Sequence, residues 1–369
     1  MTATSRDRKS ILSLEALSLT KGAPPFSLKV QEGEALCLLA EDSVSLSHLC
    51  DMLAGFEKPA QGCILLNDHE IMSLRPEDRP IGLVSARDPV FGHLDVAANI
   101  ALPLRARGAS LETIHATISK ILALVGLDAV IALRADQLNP EQNLRLRLAR
   151  VLAYAPSIVL LDGILLGLDL RAASKTRQLI TKLHRALGLT LIYVAQSRED
   201  ALWLGGRIAL FDRQTLIQCA DASTLLERPG DARSASLFGE ANLLTGRVLE
   251  IEDDIARIHL ACGGVVEALA DADLNEDSLC TLCIRPDRMT PLFGASATGD
   301  DEPAALRATI QSVLHTGEHI RLRLRLADGT EIEMRRPLLQ SMRTISQGTS
   351  LQLAWQASQA VAFPMQDDL

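Results

Sequence analysis

Strand-like and helix-like hydrophobic patterns alternate along the chain as far as Phe211, and this alternation restricts the possible folds more than any other feature. Residues 158–161 form an apolar run that ends in Asp162, as is typical of a central parallel strand. Apolar residues recur at helical spacing on both sides of this run, and residues 190–195 again have the pattern of a strand. Such alternation predicts an α/β domain in which right-handed crossovers connect parallel strands.

The pattern changes along the chain in a way that indicates two domains and one insertion. Between residues 87 and 138 there are helical patterns but no convincing strand, which is typical of an inserted helical subdomain. Beyond Asn242 apolar and polar residues alternate and glycines separate the segments, as in an all-β domain. Because 369 residues exceed what one core usually supports, we predict an α/β domain over residues 1–235 and a β-rich domain over residues 236–369.

A strand, a loop and a helix in the first domain have the arrangement of a phosphate-binding loop. Residues 35–39 have the pattern of a buried strand, and residues 49–56 that of a helix ending at Gly55. In such loops the pattern G-x-x-x-x-G-K-[ST] joins the two elements, because backbone N–H groups hold the phosphates while the lysine neutralises them. Here Glu41 and Asp42 place two carboxylates where a polyphosphate needs positive charge.

Several stretches resemble the ATP-binding subunits of ABC transporters, in the order of that family's motifs. They are residues 33–71 at the phosphate-binding loop, 81–108 at the Q-loop and the segment facing the membrane subunits, 138–169 at the signature, Walker B and D-loop, and 191–211 at the H-loop. Residues 238–248 and 283–289 resemble the β-rich accessory domain of importers for polyamines, ferric iron or maltose. The resemblance covers nearly the whole chain and implies a P-loop NTPase-like ABC domain followed by an all-β domain of TOBE or OB type.

The resemblance implies ATP and Mg²⁺ as cofactors, yet this sequence replaces most of the residues that the family uses to bind and hydrolyse ATP. In an ungapped match the Walker A motif falls on Ala40, Ser43, Ser45, Leu46, Ser47 and His48, with Leu46 in place of the lysine. Ala86 stands for the Q-loop glutamine, Gly163 for the carboxylate after the Walker B aspartate, and Gln196 for the switch histidine. The signature motif falls on Asn139, Pro140, Glu141 and Gln142. Ser47 and Asp162 keep groups that could still hold Mg²⁺ as a residual metal site.

We therefore expect a chain that occupies an ABC position without hydrolysing ATP, in a structural or regulatory role. By the resemblance its partners are membrane permease subunits, a second ABC subunit (identical to it or a competent ATPase) and, indirectly, a periplasmic solute-binding protein. This places it on the cytoplasmic side of the inner membrane, and Phe91 and Leu94 lie in the segment that receives the permease in the family. The C-terminal domain is expected to serve dimerisation. Two alternatives stay open: an active ATPase subunit of a polyamine, iron or sugar importer, and a sensor that binds a small ligand through the C-terminal domain.

Charge and cysteine content narrow the class of protein further. A net charge of −9 argues against a nucleic-acid-binding protein. The chain has seven cysteines, and residues 1–10 lack the apolar core of a signal peptide, so we expect reduced thiols in the cytoplasm. Cys280 and Cys283 have the spacing of a metal or redox pair, but positions i and i+3 of a strand face opposite sides, so we expect both in the protein core.

Arginine and leucine alternate over residues 320–326, which indicates a strand with its cations on one face. A three-residue loop with a glycine leads into a second strand and predicts Arg325 opposite Glu331 and Leu324 opposite Ile332. Opposite charges across the two strands account for the cations. We therefore expect a solvated sheet face rather than a surface for phosphate or RNA.

Overall fold

The computed structural model of the chain describes residues 9–292, 306–338 and 346–365. They form two compact units that divide between Ala222 and Ser223. None of the described helices is both long and apolar enough to cross a bilayer. Residues 1–8, on which most of the expectation about a signal peptide rests, lie outside the described part.

The first unit has the alternation of strands and helices that the sequence predicts. Its strands are β1 (Ser10–Ser18), β2 (Phe26–Gln31), β3 (Ala35–Ala40), β4 (Gln61–Leu66), β5 (His69–Glu70), β6 (Ile81–Ser85), β7 (Ile158–Asp162), β8 (Thr190–Val194), β9 (Arg207–Asp212) and β10 (Thr215–Asp221). Its helices are α1 (Val44–Ala54), α2 (Val96–Ala106), α3 (Leu111–Val125), α4 (Pro140–Leu152), α5 (Leu170–Leu187) and α6 (Arg198–Trp203). The predicted α/β class is confirmed.

The larger sheet of this unit has the strand order β10-β9-β3-β8-β7-β6. Its pairings are parallel except that of β9 with β10. Every residue of β7, the strand predicted at residues 158–161, is buried. In the register of β6 and β7, Ser85 lies beside Asp162, so these strands bring two polar side chains to one edge of the sheet. The carboxyl ends of parallel strands are where ligands bind in open α/β sheets.

A smaller antiparallel sheet, ordered β2-β1-β4-β5, shares its core with the larger one. One buried cluster contains residues of both sheets together with Leu46, Leu49 and Leu53 of α1. Phe26 and Phe211 meet edge to face there, with ring centroids 5.2 Å apart. Full burial of a leucine contributes about 1.5–3 kcal/mol, so this apolar face holds α1 firmly behind β3.

Helices fill the segment between residues 87 and 138, where the sequence predicts an inserted helical subdomain. These residues are all described and contain α2 and α3, with no strand and only an isolated bridge between Asp95 and Arg134. Helix α4 packs against both of them. Ser110 caps the start of α3 by accepting a hydrogen bond from the Thr113 amide, and Gly126 ends the helix with a φ of 70°.

The second unit is mainly β structure. Two helices precede its sheets, α7 (Ala222–Glu227) and α8 (Ala232–Gly239). Its strands are β11 (Asn242–Glu252), β12 (Ile255–Leu260), β13 (Val265–Ala270), β14 (Leu279–Ile284), β15 (Thr290–Leu292), β16 (Leu306–His315), β17 (His319–Leu326), β18 (Glu331–Pro337), β19 (Ser350–Ala354) and β20 (Ala360–Pro364). A closed barrel, β11-β12-β13-β20-β14, and a sheet ordered β15-β19-β16-β17-β18 share one core. This confirms the predicted all-β domain at the C-terminal end.

Helix α8 explains why the units divide earlier than the residue 235 expected from the sequence. Ala232 and Ala235 of this helix share a buried cluster with Cys283 and Phe363 of the barrel strands. The helix therefore packs with the second unit. Cys280 belongs instead to the cluster inside the barrel, so the two cysteines of β14 face opposite sides, as predicted.

The hairpin of β17 and β18 has the predicted register. Arg325 lies opposite Glu331, and Leu324 lies opposite Ile332. The guanidinium of Arg325 is 3.0 Å from the carboxylate of Glu331. Gly329 adopts a φ of 94° in the connecting loop, a conformation that favours glycine. The leucines between the arginines are buried in the core, so the alternation reflects one face in the core and one face in solvent.

Candidate functional site

The loop after β3 is shorter than the sequence suggests, because α1 begins at Val44 and not near residue 49. Only Glu41, Asp42 and Ser43 connect the two elements. Oδ1 of Asp42 accepts a hydrogen bond from the Val44 amide at 3.0 Å. A side-chain oxygen that satisfies a free N–H group at a helix start stabilises that start. This contact, together with the burial of Leu46 in the first turn, makes the helix begin earlier than predicted.

The Asp42 carboxylate binds a backbone N–H group at the start of α1, the kind of group that holds phosphate in a phosphate-binding loop. Free backbone N–H groups and the helix dipole favour an anion at the N-terminus of a helix. Here the chain supplies that anion itself, and Glu41 next to it is also exposed to solvent. The Ser43 hydroxyl donates to Oε1 of Gln196 at 3.4 Å. Gln196, which stands in place of the family's switch histidine, therefore lies next to this loop.

Leu46, at the position of the phosphate-binding lysine, is fully buried. Its side chain is 0% exposed and packs in the core shared by the two sheets. Ala40 is also buried, Ser45 is half-buried, and His48 is exposed with Nδ1 3.1 Å from the Glu57 carboxylate. The start of α1 therefore brings no cation to the loop.

Asp162, at the end of β7, accepts hydrogen bonds on both carboxylate oxygens. The Ser47 hydroxyl donates to Oδ1 at 2.8 Å, so the structure brings together the two residues expected to form a residual metal site. The Ser85 hydroxyl donates to Oδ2 at 3.3 Å, and Nη2 of Arg87 approaches the same oxygen at 3.1 Å. The Asp162 side chain is only 4% exposed, so its charge depends on these donors for stabilisation.

Arg87 connects Asp162 to Asp51, and the sequence did not single out either Arg87 or Asp51. The guanidinium binds the Asp51 carboxylate through two hydrogen bonds of 3.0 Å, the geometry that makes such pairs strong. These bonds to Asp51 are the largest reason why the pKa of Arg87 is raised, and Asp51 and Asp162 add to it through their charge. The sequence did contain a signal that could have identified Asp51. Ser47 and Asp51 are four residues apart, so they share one face of α1.

These contacts leave no open set of donors for Mg²⁺ and a nucleotide. Mg²⁺ requires oxygen ligands in near-octahedral geometry and usually retains several waters. The Asp162 oxygens are already bonded to a guanidinium and two hydroxyls. The lysine position is buried and apolar, and the Asp42 carboxylate already accepts a hydrogen bond from the first amide of α1. A magnesium nucleotide would have to displace these internal partners.

Gly163 and Ala86 lie side by side next to Asp162. The amide of Ala86 donates to the backbone carbonyl of Asp162 at 3.1 Å. Gly163 has a φ of 59°, and a Cβ at this position would lie 2.9 Å from Cδ1 of Leu166 and 3.7 Å from the Ala86 Cβ. Gly163 therefore offers no carboxylate, and Ala86 no side-chain amide, that could contact a nucleotide.

The signature positions at the start of α4 are bonded to one another. Asn139 and Gln142 form a reciprocal capping box: the Asn139 side chain accepts from the Gln142 amide at 2.8 Å, and the Gln142 side chain accepts from the Asn139 amide at 3.1 Å. Pro140 is at the first helical position. Glu141 pairs with Arg145 at 2.7 Å and lies 3.7 Å from Lys175. The chain's own side chains thus satisfy this second helix start as well.

The segment expected to receive a permease is ordered around Asn99. This buried side chain accepts from the Phe91 amide and donates to the Phe91 carbonyl, both at 3.0 Å. The Phe91 ring is 43% exposed, and the guanidinium of Arg150 lies 4.9 Å from its centre. Leu94 is half-buried. The result is a rigid loop that presents an aromatic ring to solvent.

Comparisons with known proteins agree with this fold. A family model described as ABC transporter matches residues 24–164, and one described as TOBE domain matches residues 282–363. Among solved structures, cbiO1 from Clostridium perfringens, part of the ABC transporter complex cbiONQ, superposes with a TM-score of 0.53. The match has 21% sequence identity and covers 62% of this chain and 95% of that chain. At this identity it supports the fold of the first unit.

Curated relatives are similar over almost the full length. Spermidine/putrescine import ATP-binding protein PotA 1 of Pseudomonas aeruginosa is 32% identical over 342 residues, which are 89% of this chain and 91% of the relative. Spermidine/putrescine import ATP-binding protein PotA of Rubrobacter xylanophilus is 29% identical over 334 residues, 90% of this chain and 87% of the relative. The similarity therefore spans both units.

Proposed function

Since this chain belongs to the family of ABC transporter ATP-binding subunits that carry a C-terminal TOBE domain, we propose that it serves as the ATP-binding-cassette subunit of a solute importer. In this role it lies on the cytoplasmic side of the membrane and is held there by permease subunits. The names of the relatives support import, and a polyamine such as spermidine or putrescine is the solute class that those names favour. A solute-binding protein and a second ABC subunit, identical or different, complete the assembly.

The loop that carries Phe91 is the docking surface in this proposal. Asn99 fixes its backbone by two hydrogen bonds, and the exposed ring offers an apolar contact. An exposed aromatic residue on a rigid support is a typical anchor of a protein interface. Docking of this kind uses shape and apolar contact, so it does not require a bound nucleotide.

Two readings of the catalytic role have different support. The relatives favour an ATP-binding subunit that is competent in ATP hydrolysis, since ATP and Mg²⁺ are the ligands of the family. The geometry of the site favours a subunit that does not hydrolyse ATP, in a structural or regulatory role. We propose the second reading for this chain.

The observation that carries it is the Asp162 carboxylate, which bonds to Arg87 and two serines where the family coordinates its metal. Gly163 beside it provides no general base, a loss that typically costs a factor of about 10²–10⁴ in rate. Phosphate release from Mg-ATP by the purified chain tests this reading. No release above the rate of a mock purification supports it, and release at about 1 s⁻¹ or faster, a usual enzymatic rate, supports the competent ATPase instead.

Co-purification tests the importer role itself. The tagged chain should be isolated from detergent-solubilised membranes together with the permease subunits encoded next to its gene. Recovery of those permeases supports the proposal. Their absence, under conditions in which a known ABC subunit retains its permeases, contradicts it.

We propose dimerisation as the role of the second unit. The alternative of a small-ligand sensor has one observation in its favour, a cavity of about 340 Å³ within this unit whose lining includes Arg285, Arg288 and Gln356. Arg285 is already paired with Asp287 at 2.7 Å. Sedimentation of residues 223–369 distinguishes the roles, because self-association favours dimerisation. A monomer whose melting temperature rises with a small anion favours the sensor.

A further inference from the structure

Three elements of the first unit meet at the Arg87 guanidinium. It bonds to Asp51 on α1 at 3.0 Å twice, to Asp162 at the end of β7 at 3.1 Å, and through Nε to the Ser85 hydroxyl at the end of β6 at 3.3 Å. The Asp51 side chain is 15% exposed and that of Asp162 is 4% exposed. Two carboxylates so close to one another and so poorly hydrated require a cation between them.

Arg87 is the cation that the described residues place there. Both carboxylates have their ion pairs with this side chain, and no other described cation forms an ion pair with either of them. The hydroxyls of Ser47 and Ser85 complete a set of oxygen atoms around the guanidinium and Asp162. Carboxylate and hydroxyl oxygens are the groups that hard divalent cations prefer. The chain has thus inserted a guanidinium into a set of oxygen atoms suited to a metal ion.

The segment that carries Arg87 is also held from its other side. Nη1 of Arg147 on α4 donates to the carbonyls of Ser85 and Ala86 at 3.0 and 3.2 Å. Nη1 of Arg150 donates to the Pro89 carbonyl at 3.1 Å. Residues 85–89 are therefore fixed between α1 and α4, directly before the loop of Phe91. Each of these bonds comes from the chain itself.

We propose that the Arg87 guanidinium takes the place of the divalent cation at Asp162, and that the chain keeps this site closed with its own charges. Asp42 has a matching role at the N-terminus of α1, where its carboxylate accepts a hydrogen bond from the Val44 amide. The inference rests on the proposed function in one respect, since it takes this site as the counterpart of the family's nucleotide site. It predicts that removal of Arg87 leaves a vacant set of oxygen ligands that Mg²⁺ can fill.

Thermal melting of the full chain with and without 10 mM MgCl₂ tests the proposal, with NaCl of equal ionic strength as the reference. The variants are Arg87→Ala and Arg87→Gln, the second in case the first does not fold. Arg75→Ala is the matched control, because Arg75 is also paired with two carboxylates, but these are 60% and 49% exposed whereas the partners of Arg87 are 15% and 4% exposed. Calorimetric titration with Mg²⁺ alone gives the dissociation constant.

In the wild type we expect Mg²⁺ to leave the melting temperature unchanged. Loss of Arg87 should lower it by about 5 °C or more, because an unpaired buried charge is costly, whereas Arg75→Ala should cost less than about 2 °C. Mg²⁺ should then raise the melting temperature of the Arg87 variant by about 3–5 °C, with a dissociation constant on the order of 1 mM. No such rise is expected for the Arg75 variant.

Three results would overturn the proposal. The first is a wild type that Mg²⁺ stabilises. The second is an Arg87 variant that melts like the Arg75 control. The third is an Arg87 variant that is destabilised but does not respond to Mg²⁺, because Arg87 would then be an ordinary structural ion pair. None of these results tests the importer role, which is tested separately by co-purification with permeases. A failure of co-purification would in turn leave the expected Mg²⁺ response unchanged.

Discussion

Nη2 of Arg87 lies 3.1 Å from Oδ2 of Asp162, a carboxylate whose side chain is only 4% exposed. In the family of this chain, the aspartate at the end of this strand serves a magnesium nucleotide. Here an arginine from the neighbouring segment neutralises it, and the Asp42 carboxylate bonds to the first amide of α1. Charged side chains of the chain thus bond to both ends of the candidate site.

Leu46→Lys, which restores the lysine of the phosphate-binding pattern, should destabilise the protein and leave ATP turnover absent. Leu46 is 0% exposed within the core, so a lysine there buries a charge without a partner and should lower the free energy of unfolding by about 3 kcal/mol or more. Val44→Lys is the control, since Val44 is on the same helix but 59% exposed. Chemical denaturation measures the free energy of unfolding of both variants. Equal values would show that a side chain at position 46 can point towards the loop.

Gly163→Glu should fold and still not hydrolyse ATP. Its φ of 59° costs a non-glycine residue about 1–3 kcal/mol, and the nearby Leu166 side chain is 59% exposed and free to move aside. Gly167→Glu is the matched control, because its φ is 76° and a Cβ there would meet nothing within 4 Å. The two variants should have similar stability. Phosphate release by Gly163→Glu alone would show that the missing general base, and not Arg87, blocks the chemistry.

Phe91→Asp should abolish co-purification with permease subunits, and Leu94→Asp should weaken it at least tenfold. A charge in the apolar centre of an interface typically costs more than 2 kcal/mol of binding free energy, since a few central residues carry most of the affinity. Phe56→Asp serves as the control, because Phe56 is 65% exposed elsewhere in the same unit. Quantitative immunoblotting of the purified complex provides the measurement. Full recovery with Phe91→Asp would place the docking surface elsewhere.

Cys280 and Cys283 should resist alkylation in the folded protein. Burial raises the pKa of the Cys280 thiol to about 11 and that of Cys283 to about 12, from an ordinary value of 9.0. A raised thiol pKa removes the reactive thiolate at pH 8, so labelling by iodoacetamide should be about a hundredfold slower than after denaturation. Peptide mass spectrometry resolves the two sites. Rapid labelling of either in the native state would support a redox or metal role instead.

Regular patterns in the sequence predicted much of the fold, because they record which face of an element is buried. The run at residues 158–161 became a fully buried strand, and the glycine loop fixed the register of Arg325 with Glu331. The predicted start of α1 was wrong. The hydrogen bond between Asp42 and the Val44 amide depends on the geometry of the loop, which hydrophobic periodicity does not show.

The centre of the site could be predicted only in part. The family resemblance indicated Ser47 and Asp162 as a residual metal site, which stays a prediction, and the structure joins the two side chains by a hydrogen bond. Arg87 was missed because its partners lie 36 and 75 residues away along the chain, and such pairs leave no local pattern. The fold has to bring β6, β7 and α1 together before this ion pair network exists.

Calorimetric titration of the full chain with ATP, in the presence and absence of Mg²⁺, tests the central claim most directly. We predict no binding with a Kd below 1 mM, about −4 kcal/mol, under either condition, because Arg87 pairs with Asp162, Asp42 bonds to the first amide of α1 and Leu46 provides no charge. Mg²⁺ should make no difference. Binding of Mg-ATP with a submillimolar Kd that is lost on removal of Mg²⁺ would contradict the account and identify the chain as a nucleotide-dependent member of its family.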